Sequence, residues 1–383
     1  MAQQPITTGH VVIAPDKFKG SLSAAEAAER IAAGVRRGAP GIEVRTLPVA
    51  DGGEGTVLAA LAAGYRRVEA TVSGPTGEPV RALLAVRDRT AVVEAAQASG
   101  LTLLPGGVPA PLTASSYGTG QLIARALELG CDRIVLGLGG VACTDGGAGM
   151  AQALGASLRD PHGVELGPGG AALRGLAALD LGTLPKALAG AEVVIAGDVD
   201  NPLLGERGAP AVYGPQKGAS PAQVAELDAA LAHWADAVTA LTGADLRATP
   251  GAGAAGGLGF GAVALLGARM RPGIGLLLDL LGFDQAVRGA RLVVTGEGCL
   301  DVQTLHGKAP AGVAAAATGA GVPVVAVAGL LELTEAQLRG AGFAAAYALA
   351  DLAGPDAPAG DSIARAAELA ELAGRRIAAD LLD

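Results

Sequence analysis

Aromatic residues are scarce in this 383-residue chain, which has one Trp, four Tyr and four Phe, whereas half of its residues are hydrophobic. The core must therefore be built from Ala, Val, Leu and Ile, a composition that suits parallel sheets covered on both faces by Ala-rich helices. Dense basic segments are also lacking, since 28 Lys and Arg face 37 Asp and Glu for a net charge of -9. This balance excludes a protein that binds the phosphate backbone, so we expect no nucleic-acid partner.

Cysteine pairs and long apolar runs are missing too. Cys131, Cys143 and Cys299 lie far apart without a CxxC pair, which favours reduced thiols over a disulfide framework or a zinc site. No window approaches the roughly 18 apolar residues that a membrane span needs. The polar N-terminus MAQQPITTGH resembles neither a signal peptide nor a transit peptide. We expect a cytoplasmic protein that does not contact a membrane.

Lysine is rare, with 5 Lys against 23 Arg, yet four of the lysines lie in Gly-rich or acidic turns: Lys17, Lys19, Lys217 and Lys308. A lysine supplies a mobile point charge where arginine supplies a rigid fork, and phosphoryl-transfer sites commonly use the former. These turns therefore suggest phosphate chemistry. The alternative is that they are ordinary solvated surface lysines.

The length suggests two domains, since one domain usually holds roughly 100 to 200 residues. Apolar β-branched runs alternate with segments of helical period, which predicts an α/β fold with mainly parallel sheets. The longest irregular stretch, 160–175, is a candidate lid or interdomain loop. The predicted strands are 10–15, 42–49, 81–86, 90–95, 133–138, 192–197, 291–296, 322–329 and 344–349. The predicted helices are 24–37, 116–129, 221–241, 256–268, 309–317 and 362–381.

Carboxylates follow strand after strand. In sheets of this class the ligand binds beyond the carboxyl ends of the strands, where loops from several strands meet. A concentration of carboxylates at that edge indicates metal binding or acid/base chemistry. The acidic residues in these positions are Asp16, Asp51, Glu54, Glu94, Asp145, Asp198, Asp200, Glu297 and Asp301.

The segment TGEGCLDVQTLHGK, residues 295–308, resembles a Walker A loop only superficially. Eight residues separate Gly298 from Gly307, and Ala309 stands where such a loop has its hydroxyl residue, so we reject a P-loop. The turn can instead bring Glu297 and Asp301 to a cation, with Lys308 at the start of a helix whose amides favour an anion. Gln303 and His306 are expected to be structural.

Two glycine-rich segments are candidate phosphate loops. In GLGGVACTDGGAGM, residues 137–150, amides of Gly139, Gly140, Gly146 and Gly147 can form a backbone cradle for an anion, although a tight packing turn explains the same residues. The segment GAGAAGG, 251–257, matches G-x-G-x-x-G, but the chain has 60 glycines and such matches arise by chance.

Two further turns carry paired charges. Asp198 and Asp200 in GDVDNP can converge on Mg²⁺ or divide between base and metal roles, whereas Asx-turn capping by Asp200 and Asn201 is the structural alternative. In PDKFKGS, an extended turn would point both lysines one way and Phe18 the other, which makes a clamp for a carboxylate or phosphate.

Long motifs along nearly the whole chain closely resemble the bacterial class I glycerate kinase family. They are APDKFKGSLSA, VADGGEGT, SYGTGQLI, GLGGVACTDGGAGM, GDVDNPLLGERGAPAVYGPQKGA, PGAGAAGGLGFG and TGEGCLDVQTLHGKAPAGVA. The resemblance implies two α/β domains, one inserted into the other, with mainly parallel Rossmann-like or flavodoxin-like sheets. We expect a discontinuous domain of residues 1–74 and 288–383, an inserted domain of 75–287, and an active site in the cleft between them. Cys299 stands where the family pattern implies an arginine, which removes a possible phosphate contact.

The resemblance also implies transfer of the γ-phosphoryl group of ATP to D-glycerate with Mg²⁺, giving ADP and 2-phosphoglycerate or 3-phosphoglycerate. The enzyme would be a monomer or homodimer. Phosphoryl transfer depends mainly on positioning and charge neutralisation. We expect Lys17 and Lys19 to hold the glycerate carboxylate or the transferred group and Asp198 to act as base. The other expected roles are Mg²⁺ binding by Asp200, Glu297 and Asp301, ATP binding by Lys217, Lys308, Gly139, Gly140, Gly146 and Gly147, and substrate binding by Asp16, Asp51 and Asn201.

Two alternatives remain at this point. A strand followed by D-x-D is typical of a haloacid dehalogenase-like phosphatase, in which Asp198 would be the nucleophile, although Pro202 does not fit that motif. A catalytically silent metabolite-binding protein would keep the fold without the chemistry.

Overall fold

A computed structural model describes residues 9–182, 188, 190–354, 358 and 360–382. No helix in these residues is long and apolar enough to cross a membrane. The fold is α/β, with helices interleaved between mostly parallel strands. The strands are β1 His10–Pro15, β2 Glu43–Thr46, β3 Arg66–Ser73, β4 Pro79–Arg87, β5 Thr90–Glu94, β6 Arg133–Gly137, β7 Ser157–Arg159, β8 Ala178–Asp180, β9 Glu192–Ala196, β10 Arg269–Arg271, β11 Ala290–Leu300, β12 Val324–Leu331 and β13 Phe343–Ala348.

Helices follow most of these strands, and every helix and strand predicted from the sequence has a counterpart. The predicted helix 362–381 is divided in two at Arg365. The helices are α1 Ala24–Gly38, α2 Thr56–Ala62, α3 Ala96–Ser99, α4 Tyr117–Glu128, α5 Ala148–Ala153, α6 Ala209–Tyr213, α7 Pro221–Thr242, α8 Leu258–Leu266, α9 Gly273–Leu281, α10 Phe283–Ala286, α11 Ala309–Gly319, α12 Glu335–Gly340, α13 Leu349–Ala353, α14 Asp361–Ala364 and α15 Ala366–Leu381.

The chain divides into two compact units. The first comprises the chain up to Asp51, Leu58–Ala63 and the chain from Pro272 onwards, and the second comprises Gly52–Val57 and Gly64–Arg271. These bounds differ from the expected breaks after residues 74 and 287. β3 lies in the second unit because it pairs antiparallel with β4, and α9 lies in the first because its apolar side chains join that unit's core.

The first unit is built on a five-stranded parallel sheet in the order β13-β12-β11-β1-β2. Counted along the chain within the unit, this is the flavodoxin-like order 2-1-3-4-5, which reverses direction between β1 and β11. Both faces of the sheet are buried, since Val11 and Ile13 pack beneath α1 and α15 while Val12 and Ala14 pack with α9 and α11. A sheet of this kind binds ligands at the carboxyl ends of the two strands where its order reverses.

The helices α1 and α15 cross very closely on one face of this sheet. Gly34 and Gly374 lie at the crossing, and a Cβ atom added to either would overlap backbone atoms of the opposite helix. The contact between the two helices buries Ile31, Ala370 and Ile377 in the core on this face of the sheet. Glycine is therefore required here by close approach of two backbones.

The second unit contains a six-stranded sheet in the order β10-β9-β6-β5-β4-β3, whose first four strands are parallel and whose last two are antiparallel. Gly137 pairs with Glu94 on one side and Ala196 on the other, so the loops after β5, β6 and β9 leave the same edge. The irregular stretch 160–175 lies wholly within this unit, between β7 and β8, and is therefore not an interdomain loop.

Candidate active site

A cavity of about 730 Å³ opens in the first unit at the carboxyl ends of its central strands. Its polar end is formed by residues at and after the ends of β1, β2 and β11 and contains three of the four lysines found in turns. Its apolar end is formed by residues at and after the ends of β12 and β13, on one flank of the sheet. The polar lining consists of Asp16, Lys17, Lys19, Ser21, Asp51, Glu297 and Lys308. The apolar lining includes Leu330, Leu349, Ala350, Ala353 and Ile363.

Asp16 directly follows β1, and Glu297 lies at the same level of the sheet in the neighbouring strand β11. Pro15, the last residue of β1, pairs with Gly296 of β11, and the amide of Asp16 donates to the carbonyl oxygen of Gly296 at 2.8 Å. The two carboxylates therefore stand at the point where the strand order reverses. Sequence reasoning predicted ligand-binding residues at such strand ends, and sheets of this class bind ligands where the strand order reverses.

Burial raises the pKa of Asp16 to about 7, because its side chain is 7% exposed and a charged carboxylate there loses its hydration. Lys17 opposes the rise, while Asp51 and Glu297 add to it. The Lys17 amide also donates to Asp16 Oδ1 at 2.6 Å. Asp16 can thus hold or release a proton near neutral pH, a property that substrate binding alone does not require.

Phe18 anchors the turn that carries Lys17 and Lys19. Its side chain is 1% exposed, and its backbone exchanges hydrogen bonds of 2.8 and 3.0 Å with Leu22 in an isolated bridge. Lys17 is half-buried and Lys19 is exposed, and both line the cavity. Phe18 is buried as predicted, but it borders the same cavity as the two lysines.

The last part of β11 and the turn that follows it bring two carboxylates to one ammonium group. Lys308 Nζ lies 3.8 Å from Glu297 Oε2 and 3.5 Å from Asp301 Oδ1. Thr304 holds the arrangement, because its buried hydroxyl group donates to Glu297 Oε1 at 2.6 Å while its amide donates to Asp301 Oδ1 at 3.1 Å. Sequence reasoning missed Thr304, although its spacing of three residues from Asp301 is that of a hydroxyl group in a capped turn.

The pKa values of Glu297 and Asp301 are shifted in opposite directions. Burial raises the pKa of Glu297, against the Thr304 hydrogen bond and the Lys308 charge. Burial also tends to raise the pKa of Asp301, but the Thr304 amide and Lys308 outweigh it and the pKa is lowered. In the described part of the chain, no three His, Cys, Asp or Glu side chains are grouped closely enough to hold a metal.

In the second unit, two strand-end carboxylates serve the fold. Asp145 is 1% exposed and accepts hydrogen bonds from the amide and hydroxyl groups of Ser116 at 2.8 and 2.9 Å, and from the amides of Gly147 and Gly149. Glu94, also 1% exposed, accepts from the amides of Gly55 and Val57, each at 3.1 Å. These carboxylates hold loops in place.

Lys217 is buried, although it was expected to bind ATP phosphates. Its Nζ donates to the carbonyl oxygen of Cys143 at 2.5 Å and to Thr144 Oγ1 at 3.4 Å. Burial lowers its pKa, while the Cys143 thiol and Asp145 act in the opposite direction. The structure therefore gives this ammonium group a different partner from the one expected. All three cysteines are free thiols, as predicted.

The two glycine-rich segments pack on each other. The Gly146 amide donates to the Gly256 carbonyl oxygen at 3.1 Å, and the Gly147 amide donates to Asp145 Oδ1 at 3.2 Å. Both amides therefore already have hydrogen-bond acceptors within the protein. Gly256 has φ +69°, and a Cβ atom there would lie 2.8 Å from Lys217 Nζ. The pattern at 251–257 thus has a packing explanation. Gly139 and Gly140, by contrast, are half-buried and exposed.

The turn after β9 is exposed. Asp198 is exposed, and Asp200 faces Arg207 with both carboxylate oxygens 3.4 Å from Nη2. Asn201 Nδ2 donates to the Arg207 carbonyl oxygen at 2.8 Å, and Asn201 Oδ1 accepts from the Tyr213 hydroxyl group at 2.7 Å. Asn201 therefore organises the turn.

Comparison with known proteins agrees with these motifs. The sequence pattern of the Glycerate kinase family matches residues 11–382. Glycerate kinase of Bacillus subtilis (strain 168) is 46% identical over 374 residues, covering 97% of each chain. Glycerate 2-kinase of Escherichia coli (strain K12) is 46% identical over 325 residues, 84% of this chain and 85% of the relative. A crystal structure assigned as glycerate kinase 2 from Salmonella typhimurium LT2 superposes with a TM-score of 0.85 at 41% identity, covering 98% of each chain. The chain belongs to the glycerate kinase family.

Proposed function

We propose that the protein transfers the γ-phosphoryl group of ATP to the C2 hydroxyl group of D-glycerate, giving 2-phosphoglycerate and ADP. The observation that carries the proposal is the family match over residues 11–382, which includes the lysines and carboxylates of the cavity. The choice of C2 is supported by the Escherichia coli relative, which is named as a 2-kinase.

The polar end of the cavity is suited to neutralising anions. Lys17 and Lys19 line it from one turn and Lys308 from another, so ammonium groups approach from two sides. In the proposed reaction Lys17 and Lys19 hold the glycerate carboxylate or the transferred phosphoryl group, and Lys308 holds phosphate oxygens of ATP. Such groups accelerate transfer by positioning the reactants and by neutralising charge.

Asp198 is the proposed base that accepts the hydroxyl proton of the substrate, and its exposure leaves it accessible. Asp198→Asn should lower kcat by at least about a hundredfold, the usual contribution of a positioned base, without a comparable loss of stability. Asp16, with its pKa near 7, is the competing candidate, and a loss of turnover in Asp16→Asn with normal turnover in Asp198→Asn would transfer the role.

The carboxylates that converge on Lys308 fit a magnesium site. Glu297 and Asp301 both approach one cationic group, and Mg²⁺ is usually bound by one or two carboxylates together with substrate phosphates. Mg²⁺ would neutralise charge on the phosphates. Its binding by Glu297 and Asp301 is part of the proposal, and binding by Asp200, which faces Arg207, stays a prediction.

The second unit contributes further predicted contacts. Gly139 and Gly140 are the better candidates for phosphate binding, because the amides of Gly146 and Gly147 already have protein acceptors. Substrate binding by Asp16, Asp51 and Asn201 and phosphate binding by Lys217 stay predictions. The proposal requires the two units to act on one pair of substrates, which is likewise a prediction.

Neither alternative function is favoured. A phosphatase using Asp198 as nucleophile leaves the lysine-lined cavity without a role, and the named relatives are kinases. A silent binding protein gives no reason for three lysines and three carboxylates in the lining of one cavity.

A coupled assay for ADP formation tests the proposal. We expect release of ADP that depends on D-glycerate and Mg²⁺. Release should be much slower with L-glycerate, which has the opposite configuration at C2, and with D-lactate, which lacks the C3 hydroxyl group. ADP release at the same rate without any acceptor would indicate hydrolysis and would contradict the proposal.

A further inference from the structure

Two large apolar side chains on the cavity wall are exposed to its interior and to solvent. Leu330 is 53% exposed and Ile363 is 58% exposed, and both line the cavity beside the buried Leu349. Ala350 and Ala353 of α13 complete this end. An apolar recess that joins a charged recess suggests a ligand with one flat apolar part and one anionic part.

The size of the cavity favours a ligand larger than glycerate. Its 730 Å³ lies within the range of roughly 300 to 1,000 Å³ that holds ligands of drug size. A three-carbon acid would fill only the polar end, beside the lysines. The apolar end, bounded by Leu330 and Ile363, has no role in binding such an acid.

We propose that the apolar end of this cavity binds the adenine base of ATP, with the triphosphate directed toward Lys17, Lys19 and Lys308. This inference rests on the proposed function, because it assigns the phosphoryl donor to a particular site. The base lies between the aliphatic side chains of Leu330 and Ile363. Only 2% of the chain is aromatic, and the lining's Phe18 is 1% exposed, so the base is held by aliphatic contact and not by ring stacking.

The topology supports the same assignment. The cavity lies at the ends of β1 and β11, where the strand order of the first unit reverses, which is where such sheets bind nucleotides. The parallel strands of the second unit run β5, β6, β9, β10 in sequential order without a reversal. A second cavity, of about 220 Å³, is lined in that unit by Ser73, Tyr117, Gln152 and neighbouring residues, and it falls below the size range of nucleotide pockets.

Calorimetric titration with ADP and with inorganic tripolyphosphate, each with Mg²⁺ and without glycerate, tests the proposal. Leu330→Gln and Ile363→Gln keep the size and neutrality of the side chains but remove apolar contact with the base. We expect each variant to bind ADP about five to ten times more weakly, the equivalent of part of one apolar side chain, and to bind tripolyphosphate like the wild type. Leu372→Gln is the matched control, since Leu372 is 41% exposed in the same unit but does not line the cavity, and it should bind both ligands normally.

Steady-state kinetics separates the outcomes. The expected result is a KM for ATP that rises in both cavity variants with an unchanged KM for D-glycerate. Normal ADP affinity in both variants, an equal loss of tripolyphosphate binding, a rise in the KM for glycerate alone, or failure of the wild type to bind ADP would each overturn the assignment. A wild type that binds ADP through these residues but does not phosphorylate glycerate would leave the assignment standing and refute the proposed function.

Discussion

Lys217 donates a 2.5 Å hydrogen bond from its Nζ to the carbonyl oxygen of Cys143, inside the second unit. Lys217 is 4% exposed, and burial lowers its pKa while nearby Asp145 favours the charged form. It therefore connects the turn at 214–218 to the glycine-rich loop after β6. A buried charge with such partners is expected to stabilise the loop. Removing it would leave the buried Cys143 carbonyl oxygen without its hydrogen-bond donor, which lowers the free energy of unfolding.

Lys217→Met should lower the free energy of unfolding by about 1–3 kcal/mol, since the Cys143 carbonyl group loses its donor and Asp145 loses a nearby positive charge. Urea denaturation followed by circular dichroism measures this change. A variant with wild-type stability and a raised KM for ATP would show that Lys217 contacts the nucleotide directly.

Lys308→Met should behave in the opposite way. The Lys308 side chain is 31% exposed and its ion pairs with Glu297 and Asp301 are partly solvated, so its removal should change stability by no more than about 1 kcal/mol. Turnover should fall at least about a hundredfold, as expected when a preorganised charge is removed from a phosphoryl-transfer site. The two lysine variants, assayed together for stability and kcat, form a matched pair, and similar profiles would refute the distinction between them.

Asp16→Asn should change the pH dependence of stability. The folded protein retains a proton on Asp16 up to about pH 7, whereas the unfolded chain releases it near the ordinary aspartate pKa of 3.8. As pH rises through this window, the wild type therefore loses stability at this site, on the order of 4 kcal/mol in total at 1.36 kcal/mol per pKa unit. Below the window the contribution is fully present, and above it there is no further change.

The measurement is urea denaturation of both proteins between pH 4 and pH 8. The free energy of unfolding of the wild type relative to that of Asp16→Asn should fall across this range. The difference should therefore be more favourable to the variant at pH 8 than at pH 4. Parallel pH profiles for the two proteins would mean that Asp16 is ionised throughout and would remove it as a proton-holding group.

Gly34→Ala should destabilise the first unit, because its Cβ atom would overlap the backbone of α15 at the crossing with α1. A loss of about 1–3 kcal/mol is typical when a close-packed contact is overfilled. Gly275→Ala is the control: this glycine is exposed inside α9, with no atom within 4 Å of an added Cβ, and alanine there should add up to about 1 kcal/mol. Equal melting temperatures for the two variants would contradict the claim that close contact between α1 and α15 requires glycine at position 34.

Strands buried on both faces were predictable because their residues form unbroken apolar runs. β1 and β12 are examples, since VVIA in β1 and VVAVA in β12 are buried at every residue. β3 was missed because its sequence, RRVEATVS, alternates exposed charged residues with buried Val68 and Val72 at the edge of a sheet. α9 was missed because GIGLLLDLL lacks a clear polar face. Tertiary packing decided both elements.

Residue type alone could not separate the charges that line the cavity from those that are buried in loops of the second unit. Lys308 and Lys217 both lie in glycine-bounded turns, but only Lys308 lines the cavity. Asp16 and Asp145 both follow strands, yet Asp145 is enclosed by amide and hydroxyl donors supplied by distant residues. The partners that make this difference come from other parts of the chain, so local spacing does not show them.

A ³¹P NMR spectrum of the protein with ATP, Mg²⁺ and D-glycerate tests the central claim most directly, with a sample lacking glycerate as the control. The account predicts ADP together with a phosphomonoester resonance split into a doublet by the single proton on C2. A triplet from the two protons on C3 would contradict the choice of hydroxyl group, and unchanged ATP, or inorganic phosphate released without glycerate, would contradict the kinase itself.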